Sequence, residues 1–212
     1  MKSKRKALIM VLCAVLLVST TMFATIAYLT SKDEVNNTFT VGNVHITLDE
    51  AKVNPDGTLV PNADRVKENE YKLIPGHEYI KDPTVTVKAN SEECYVRALV
   101  TLNKREALYS LPSDIKIEDC FVINNESWTY KNMTADTEKD TYTYEFWYNS
   151  IVETTRDKDT QLPAVFEKII VPESLTNAQL ATLTGLEINV VAHAIQADGF
   201  ERAEEAWTAF GN

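Results

Sequence analysis

The stretch PTVTVKANSEECYVRALVTL, residues 83–102, contains two runs in which apolar and polar residues alternate. In the first run, Val85, Val87 and Ala89 share one face. The second run places five residues on one face: Cys94, Val96, Ala98, Val100 and Leu102. Side chains of a β-strand point alternately to opposite faces of the sheet, so each run predicts a half-buried strand. The polar NSEE between them predicts a short connection, and we expect the two runs to pair as antiparallel neighbours.

The same alternation continues on both sides of this stretch. Residues 38–48 predict a first strand, and further strands are predicted at residues 71–74, 115–123, 128–131, 141–148, 164–171 and 186–197. The polar stretches 54–70 and 132–140 are rich in turn residues and predict loops. About eight or nine strands without strand–helix alternation predict an all-β fold, an antiparallel jelly-roll-like β-sandwich.

Two stretches predict helices. SLTNAQLATL (174–183) is short, whereas DGFERAEEAWTAF (198–210) carries Asp198 and Glu201 at the spacing of a capping box. Its apolar residues recur at helical spacing: Phe200, Ala203, Ala206, Trp207 and Phe210. This apolar stripe predicts that a short C-terminal helix packs on the sandwich.

Residues 1–27 have the order of parts of a secretory signal peptide. KSKRK is basic, ALIMVLCAVLLV (7–18) is apolar, and Thr25 and Ala27 occupy the −3 and −1 positions of a cleavage site before Tyr28. We therefore predict an N-terminal signal helix over 1–27, a mature N-terminal segment over 28–40 and one β-sandwich domain over 41–212. The alternative is an uncleaved anchor, because the stretch from residue 7 to 29 is long enough to span a bilayer.

The charge of the mature chain narrows the classes of partner. All four basic residues before residue 28 belong to the signal, and residues 28–212 hold 17 basic and 31 acidic residues, a net charge of −14. Nucleic acids and anionic lipids need a basic surface, so neither is expected as a main partner. With 44% hydrophobic residues the chain is able to bury a core, and it fits a soluble protein outside the cell.

The mature chain keeps two cysteines, Cys94 and Cys120, because Cys13 lies in the apolar part of the signal. A secreted chain with two cysteines is a candidate for one disulfide. The closed loop of about 27 residues is in the range where a bridge stabilises by roughly 3 kcal/mol. The alternative is two buried free thiols.

Residue patterns of known catalytic sites are mostly missing. His77 and Glu78 resemble half of a zinc-protease motif, but Lys81 stands where the second histidine is needed. His45 and His193 are each single histidines on predicted strands. No nucleophile elbow, glycine-rich phosphate loop or cysteine-protease signature is present. The sequence therefore predicts no enzyme, with no catalytic residues, no metal site and no cofactor.

Three blocks of the sequence resemble one family. They are LCAVLLVSTTMFATIAYLTSKDEVNNTFTVGNVHITLDEA (12–51), PGHEYIKDPTVTVKANSEECYVRALV (75–100) and AIQADGFERAEEAW (194–207), about 80 of 212 residues. They resemble Gram-positive exported proteins that the signal peptidase SipW processes, relatives of the biofilm fibre protein TasA and of camelysin, in particular clostridial-type members.

The resemblance implies a secreted or cell-surface protein with a jelly-roll domain. Some members form extracellular matrix fibres by donor-strand exchange, in which the mature N-terminus of one subunit completes the sheet of the next. The resemblance makes residues 28–40 of this chain the candidate donor strand. The implied partners are further copies of the chain, matrix or surface proteins, and SipW during export. The membrane is a partner only through the uncleaved signal.

Two alternatives to a structural subunit stay open. The first is an extracellular binding or adhesion module, whose candidate contact residues are aromatic: Trp128, Tyr130, Tyr142, Tyr144 and Trp147. The second is a metallopeptidase such as camelysin. The incomplete motif at His77 gives that activity no support, so we do not carry it over to this chain.

The cleavage site predicts the first residue of the exported chain. N-terminal sequencing should begin at Tyr28, and Ala27→Lys should block cleavage, because the −1 position requires a small residue. Ala27→Gly is the matched control and should leave the cleaved bond unchanged. An exported wild-type chain that still begins at Met1 would support the uncleaved anchor instead.

Overall fold

The computed structural model describes residues 30–34, 37–40 and 44–211, with side chains from residue 44 onward. The predicted signal helix over 1–27 and the cleavage site between Ala27 and Tyr28 lie outside the described residues. The described part is mostly β, with twelve strands and four short helices. None of these helices is long and apolar enough to cross a membrane.

The elements follow one another along the whole described chain. The strands are β1 (Thr30–Glu34), β2 (Asn37–Thr40), β3 (Ile46–Asp49), β4 (Glu78–Ile80), β5 (Thr84–Val87), β6 (Cys94–Leu102), β7 (Phe121–Ile123), β8 (Trp128–Asp136), β9 (Thr141–Tyr148), β10 (Thr160–Gln161), β11 (Phe166–Ile170) and β12 (Ile188–Gln196). The helices are α1 (Arg105–Tyr109), a 3-10 helix (Ile117–Cys120), α2 (Asn177–Thr182) and α3 (Ala203–Phe210).

The strands form three antiparallel sheets, which confirms the all-β prediction. The largest has six strands in the order β2-β1-β12-β6-β9-β8. Two three-stranded sheets have the orders β10-β5-β3 and β4-β11-β7. In the large sheet, β6 and β12 pair over nine residues, from Ile188 opposite Leu102 to Gln196 opposite Cys94.

One hydrophobic cluster joins the three sheets. It takes alternate residues from each, including Ile46 and Leu48, Val85 and Val87, Val96, Ala98 and Val100, Phe166, and Val190, Ala192 and Ala194. Fully burying one such branched or aromatic side chain stabilises the fold by about 1.5–3 kcal/mol. The faces that alternation predicted to be apolar are therefore the faces that meet in the core.

The predicted pairing of residues 83–89 with residues 94–102 is wrong. β5 pairs with β3 and β10, whereas β6 pairs with β12 and β9, so the two runs belong to different sheets. The NSEE connection does not form a hairpin, because buried Ser91 accepts a hydrogen bond from the backbone N–H of His45 at 3.0 Å. Alternation showed that each run has a buried face, but not which strand lies beside it.

Other boundaries also differ from the prediction: no strand forms at residues 71–74, and a 3-10 helix replaces the middle of the strand predicted at 115–123. The first strand is interrupted, with β2 ending at Thr40 in one sheet and β3 starting at Ile46 in another. β8 continues to Asp136 through residues predicted as loop, and its pairing with β9 contains a bulge between Tyr130 and Asn132. The turn after β8 is compact, since the Asp136 carboxylate accepts the backbone N–H groups of the residues two and three positions later.

The C-terminal helix packs against the large sheet, on the face opposite the main core. α3 begins at Ala203 with Arg202 as its N-cap residue, so the predicted capping box at Asp198 is not formed. Trp207 and Ala206 are buried against Tyr95 and Ile195 of the sheet, as the apolar stripe predicted. The Arg97 guanidinium carbon lies 4.6 Å from the centre of the Trp207 ring, a cation–π contact under the helix.

Trp207 is 5% exposed, so Trp207→Ala should lower the free energy of unfolding by about 3–5 kcal/mol. The reason is the lost burial together with the cavity left between helix and sheet. Tyr109→Ala is the control, because that aromatic side chain is 78% exposed and its loss should change stability by less than about 0.5 kcal/mol. Urea unfolding followed by circular dichroism measures both, and equal effects would contradict the packing of α3.

Candidate functional site

The candidate site is the edge of β12 to which the N-terminal segment is bound. β1 pairs with it as an antiparallel neighbour, from Thr30 opposite Ile195 to Asp33 opposite Ala192. β2 then folds back on β1, from Glu34 opposite Asn37 to Ser31 opposite Thr40. In this structure the segment predicted as a donor strand therefore adds two strands to the sheet of its own chain.

β12 lies between β6 and β1 in the large sheet. On the side of β6, all nine residues of β12 have strand partners. On the side of β1, the described register runs from Ile195 to Ala192, and residues 35–36, which follow β1, lie outside the described residues. Backbone N–H and C=O groups at the edge of a sheet bind an added strand in this way.

An open groove of about 1140 Å³ lies beside the start of β12. It runs between β3 and the start of β12, and its apolar lining includes Leu48, Leu183, Ile188 and Val190. Acidic side chains border it, among them Glu68, Glu70 and Glu187. The groove offers apolar contacts beside the strand that β1 binds, and side-chain pockets next to a paired sheet edge give an added strand its specificity.

The predicted Cys94–Cys120 disulfide is not formed in the structure, where both thiols are free. Cys94 is the first residue of β6, and Cys120 lines a small apolar cavity together with Leu102, the last residue of β6. At about 3.3 Å per residue, the two ends of this strand are roughly 26 Å apart, far beyond the reach of a disulfide. Spacing in the sequence carried no information on this separation.

The three histidines are in different surroundings. His45 and His77 are exposed, whereas His193 is buried on β12, where its Nδ1 accepts a hydrogen bond from Nε of Arg97 at 3.2 Å. The His193 ring stacks on Phe210 of α3 with ring centres 4.8 Å apart. Within the described ranges, no three His, Cys, Asp or Glu side chains come together in a way that could hold a metal ion.

Most of the aromatic residues proposed for a binding module are packed inside. Trp128 and Tyr144 are buried in the main core, and Tyr142 packs against it. Trp147 lies between the sheet and α3, with the Lys131 ammonium 4.4 Å from its ring centre. Of the five residues, only Tyr130 is exposed, with 46% of its surface accessible to solvent. The sequence could not distinguish these rings from contact residues because aromatic side chains dominate both cores and binding surfaces.

Sequence reasoning missed a buried polar cluster outside the β12 edge. Lys81 and Glu50 form an ion pair with 2.6 Å between Nζ and Oε2, and both side chains are almost fully buried. Asn69 binds the other oxygen of the same carboxylate at 3.0 Å. The one sign of this cluster in the sequence was Lys81, three residues before the apolar run of β5. The stretch that contains Asn69 was predicted only as a polar loop.

Comparison with known proteins gives no relative: no protein-family model, curated protein or solved structure matches the chain. The interpretation of the site therefore depends on the geometry of the described residues.

Burial raises the pKa of the Cys94 thiol to about 12 and, with a smaller contribution from Asp119 and Glu118, raises that of Cys120 to about 11. The thiolate is the reactive form, so alkylation of Cys120 at pH 8 should be about two orders of magnitude slower in the folded chain than in urea. Raising the pH from 8 to 10 should speed it about a hundredfold, since each unit below the pKa changes the thiolate fraction tenfold.

Peptide mass spectrometry after timed labelling measures both cysteines, and Cys94 should stay unlabelled until the chain unfolds. If neither cysteine reacts in urea without a reductant, the two thiols are bridged and their placement at opposite ends of β6 is wrong.

Proposed function

We propose that the protein is an exported, cell-surface structural subunit that assembles by exchanging its N-terminal strand between copies. The pairing of β1 with the edge of β12 is the single observation that carries this proposal. A strand held at a sheet edge in its own chain makes the same backbone hydrogen bonds when a second copy supplies it. Exchange therefore needs no new kind of contact.

The groove beside β12 favours exchange over a closed monomer. Its apolar lining includes Ile188 and Val190 at the start of β12, the strand that β1 binds. A longer extended segment from a neighbouring copy would pair further along the edge and place apolar side chains in the adjoining groove. Head-to-tail addition of this kind builds a fibre when the rotation between successive copies does not close a ring.

The sequence supports the cellular setting of this proposal. The signal peptide over 1–27 implies export, and residues 28–40 then become the free leading end next to the domain. The resemblance to SipW-processed relatives of TasA agrees with a matrix fibre subunit. We further propose that the three sheets form the jelly-roll-like β-sandwich which that resemblance implies.

The alternatives have less support from the described residues. A binding module loses most of its candidate contact residues, since Trp128 and Tyr144 belong to the core and only Tyr130 of the five is exposed. A metallopeptidase has no histidine cluster to build on in the described ranges. Neither arrangement offers an observation comparable to the pairing of β1 with β12.

Exchange is tested by cross-linking two different variants, each of which has one introduced cysteine and carries Cys94→Ala and Cys120→Ala so that no native thiol takes part. Ser31 lies opposite Ala194 in the register, so Ser31→Cys and Ala194→Cys are placed in separate chains. The two purified chains are mixed at high concentration, allowed to assemble and oxidised. We expect a covalent dimer in which peptide mass spectrometry finds residue 31 of one chain linked to residue 194 of the other.

Asn189→Cys replaces Ala194→Cys in the control mixture, because residue 189 is not opposite residue 31 in this register. A mixture that yields no mixed dimer, while a chain carrying both substitutions closes an internal bridge, would show that β1 stays in its own chain and would refute exchange. Electron microscopy of a chain lacking residues 28–40 gives a second test, with loss of fibres expected.

A further inference from the structure

Glu50, Asn69 and Lys81 come together at the wall of the groove, each from a different part of the chain. Glu50 follows β3, Lys81 follows β4, and Asn69 lies in the long connection between those strands. The Lys81 Nζ is 2.6 Å from one Glu50 carboxylate oxygen, and the Asn69 Nδ2 is 3.0 Å from the other. One carboxylate thus holds an amine and a carboxamide side by side.

The charges of this cluster are shielded from water. The side chains of Lys81 and Glu50 are only 8% and 7% exposed. Burying two charges carries a large desolvation penalty, and apolar replacements of such pairs are often neutral or stabilising. Stability alone therefore gives a weak account of a buried lysine and glutamate in this position.

The hydrogen bonds of the Asn69 carboxamide suit it to act as an electrophile. Its carbonyl oxygen accepts the backbone N–H of Val53 at 3.0 Å, and its Nδ2 also donates to the Ala51 carbonyl oxygen at 2.9 Å. A backbone N–H at a carbonyl oxygen stabilises the negative charge that develops there during nucleophilic attack. The nitrogen that would leave is the atom that contacts Glu50.

We propose that this cluster forms an intramolecular amide cross-link between the Lys81 side chain and the Asn69 side chain, with Glu50 as the proton relay. Lysine is a nucleophile once an adjacent base removes its proton, and Glu50 is that base. Fixing both groups on one carboxylate supplies the proximity that an uncatalysed amide exchange lacks.

The reaction is balanced without any added reagent. Glu50 takes a proton from the Lys81 ammonium, and the neutral Nζ attacks the Asn69 Cγ to form the new C–N bond. The bond from Cγ to Nδ2 breaks as Glu50 returns a proton to the leaving nitrogen, and ammonia departs. The released ammonia takes up the second proton that Nζ loses on becoming an amide nitrogen. The products are therefore one neutral secondary amide and one ammonium ion.

The surroundings keep the three groups in place. Glu50 and Val66 exchange backbone hydrogen bonds at 2.8 Å, which brings the connection that carries Asn69 back against β3. The Tyr71 ring lies 5.5 Å from the Lys81 Nζ, and its hydroxyl donates to the Ile80 carbonyl oxygen at 3.2 Å. The buried Lys81 ammonium therefore faces an aromatic ring rather than bulk water on that side, which limits competing hydrolysis.

The cross-link would fasten the longest connection of the fold without using cysteine. It would close the segment from Asn69 to Lys81 into a covalent ring, which restricts the unfolded chain as a disulfide does. Unlike a disulfide, it would resist reducing agents. This inference does not depend on strand exchange between copies, because all three residues belong to one chain.

Mass spectrometry of the purified full chain tests the proposal. The folded protein should be lighter than its sequence by the mass of one ammonia molecule. Trypsin should yield a branched peptide in which residues 68–72 are joined to residues 73–88, since a modified Lys81 is no longer cleaved. Recovery of residues 68–72 and 73–81 as separate linear peptides, with no mass deficit, would overturn the proposal.

Substitutions assign the roles. Lys81→Met and Glu50→Gln should both restore the full mass, the first by removing the nucleophile and the second by removing the proton relay. Asn69→Asp should keep the cross-link but lose water instead of ammonia, an outcome that a purely structural cluster does not produce. Lys168→Met is the control, because Lys168 forms an exposed ion pair with Glu78 at 2.9 Å and should leave the mass deficit unchanged.

Circular dichroism on each variant shows whether it is folded, so that a missing cross-link is not mistaken for a missing fold. A cross-link that persists in Glu50→Gln would refute the role of Glu50. A folded Asn69→Asp chain without any mass deficit would refute the choice of Asn69 as the electrophile.

Discussion

The nine-residue pairing of β12 with β6 is the constraint on which the other parts of the molecule depend. Alternate residues of β12, such as Val190 and Ala192, enter the main core, which fixes how the large sheet faces the two smaller ones. The opposite face presents His193 and Ile195 to α3. The remaining edge receives β1. A shift of one residue between β12 and β6 would exchange the two faces and displace the core, the helix and the N-terminal strand together.

The packing of α3 on β6 and β12 shows how a chain with a net negative charge buries a charged side chain, that of Arg97. Arg97 lies between the Glu145 carboxylate, at 3.1 Å, and the ring of Trp207, so its charge is compensated where α3 covers it. Arg65, by contrast, is exposed; it binds the carboxylates of Asp49 and Asp82 and ties the long connection to β3. Basic side chains are few, and these two hold separate elements of the fold together.

Much of the fold was predictable because strands with one buried face have a strong period of two. β6 and β9 begin and end where the alternation of CYVRALVTL and TYTYEFWY placed them. Pairing was not predictable, since Val85 and Val96 alternate in the same way although they lie in different sheets. The polar cluster around Glu50 was hidden for a related reason. Glu50 and Lys81 are 31 residues apart in the sequence. The polar composition of the loop between them does not indicate that it folds over a buried ion pair.

The two edges of the large sheet are unequal, and the bulge between Tyr130 and Asn132 in β8 is the cause. A bulge increases the local twist and breaks the regular spacing of backbone groups, so a further strand would lose register within a few residues there. The opposite edge ends in short strands whose pairing is regular over the described residues. A further strand would therefore keep its register more easily at the β2 edge of the large sheet than at the β8 edge. Two copies that meet through their β8 sides have no regular template to share, which disfavours symmetric back-to-back pairs.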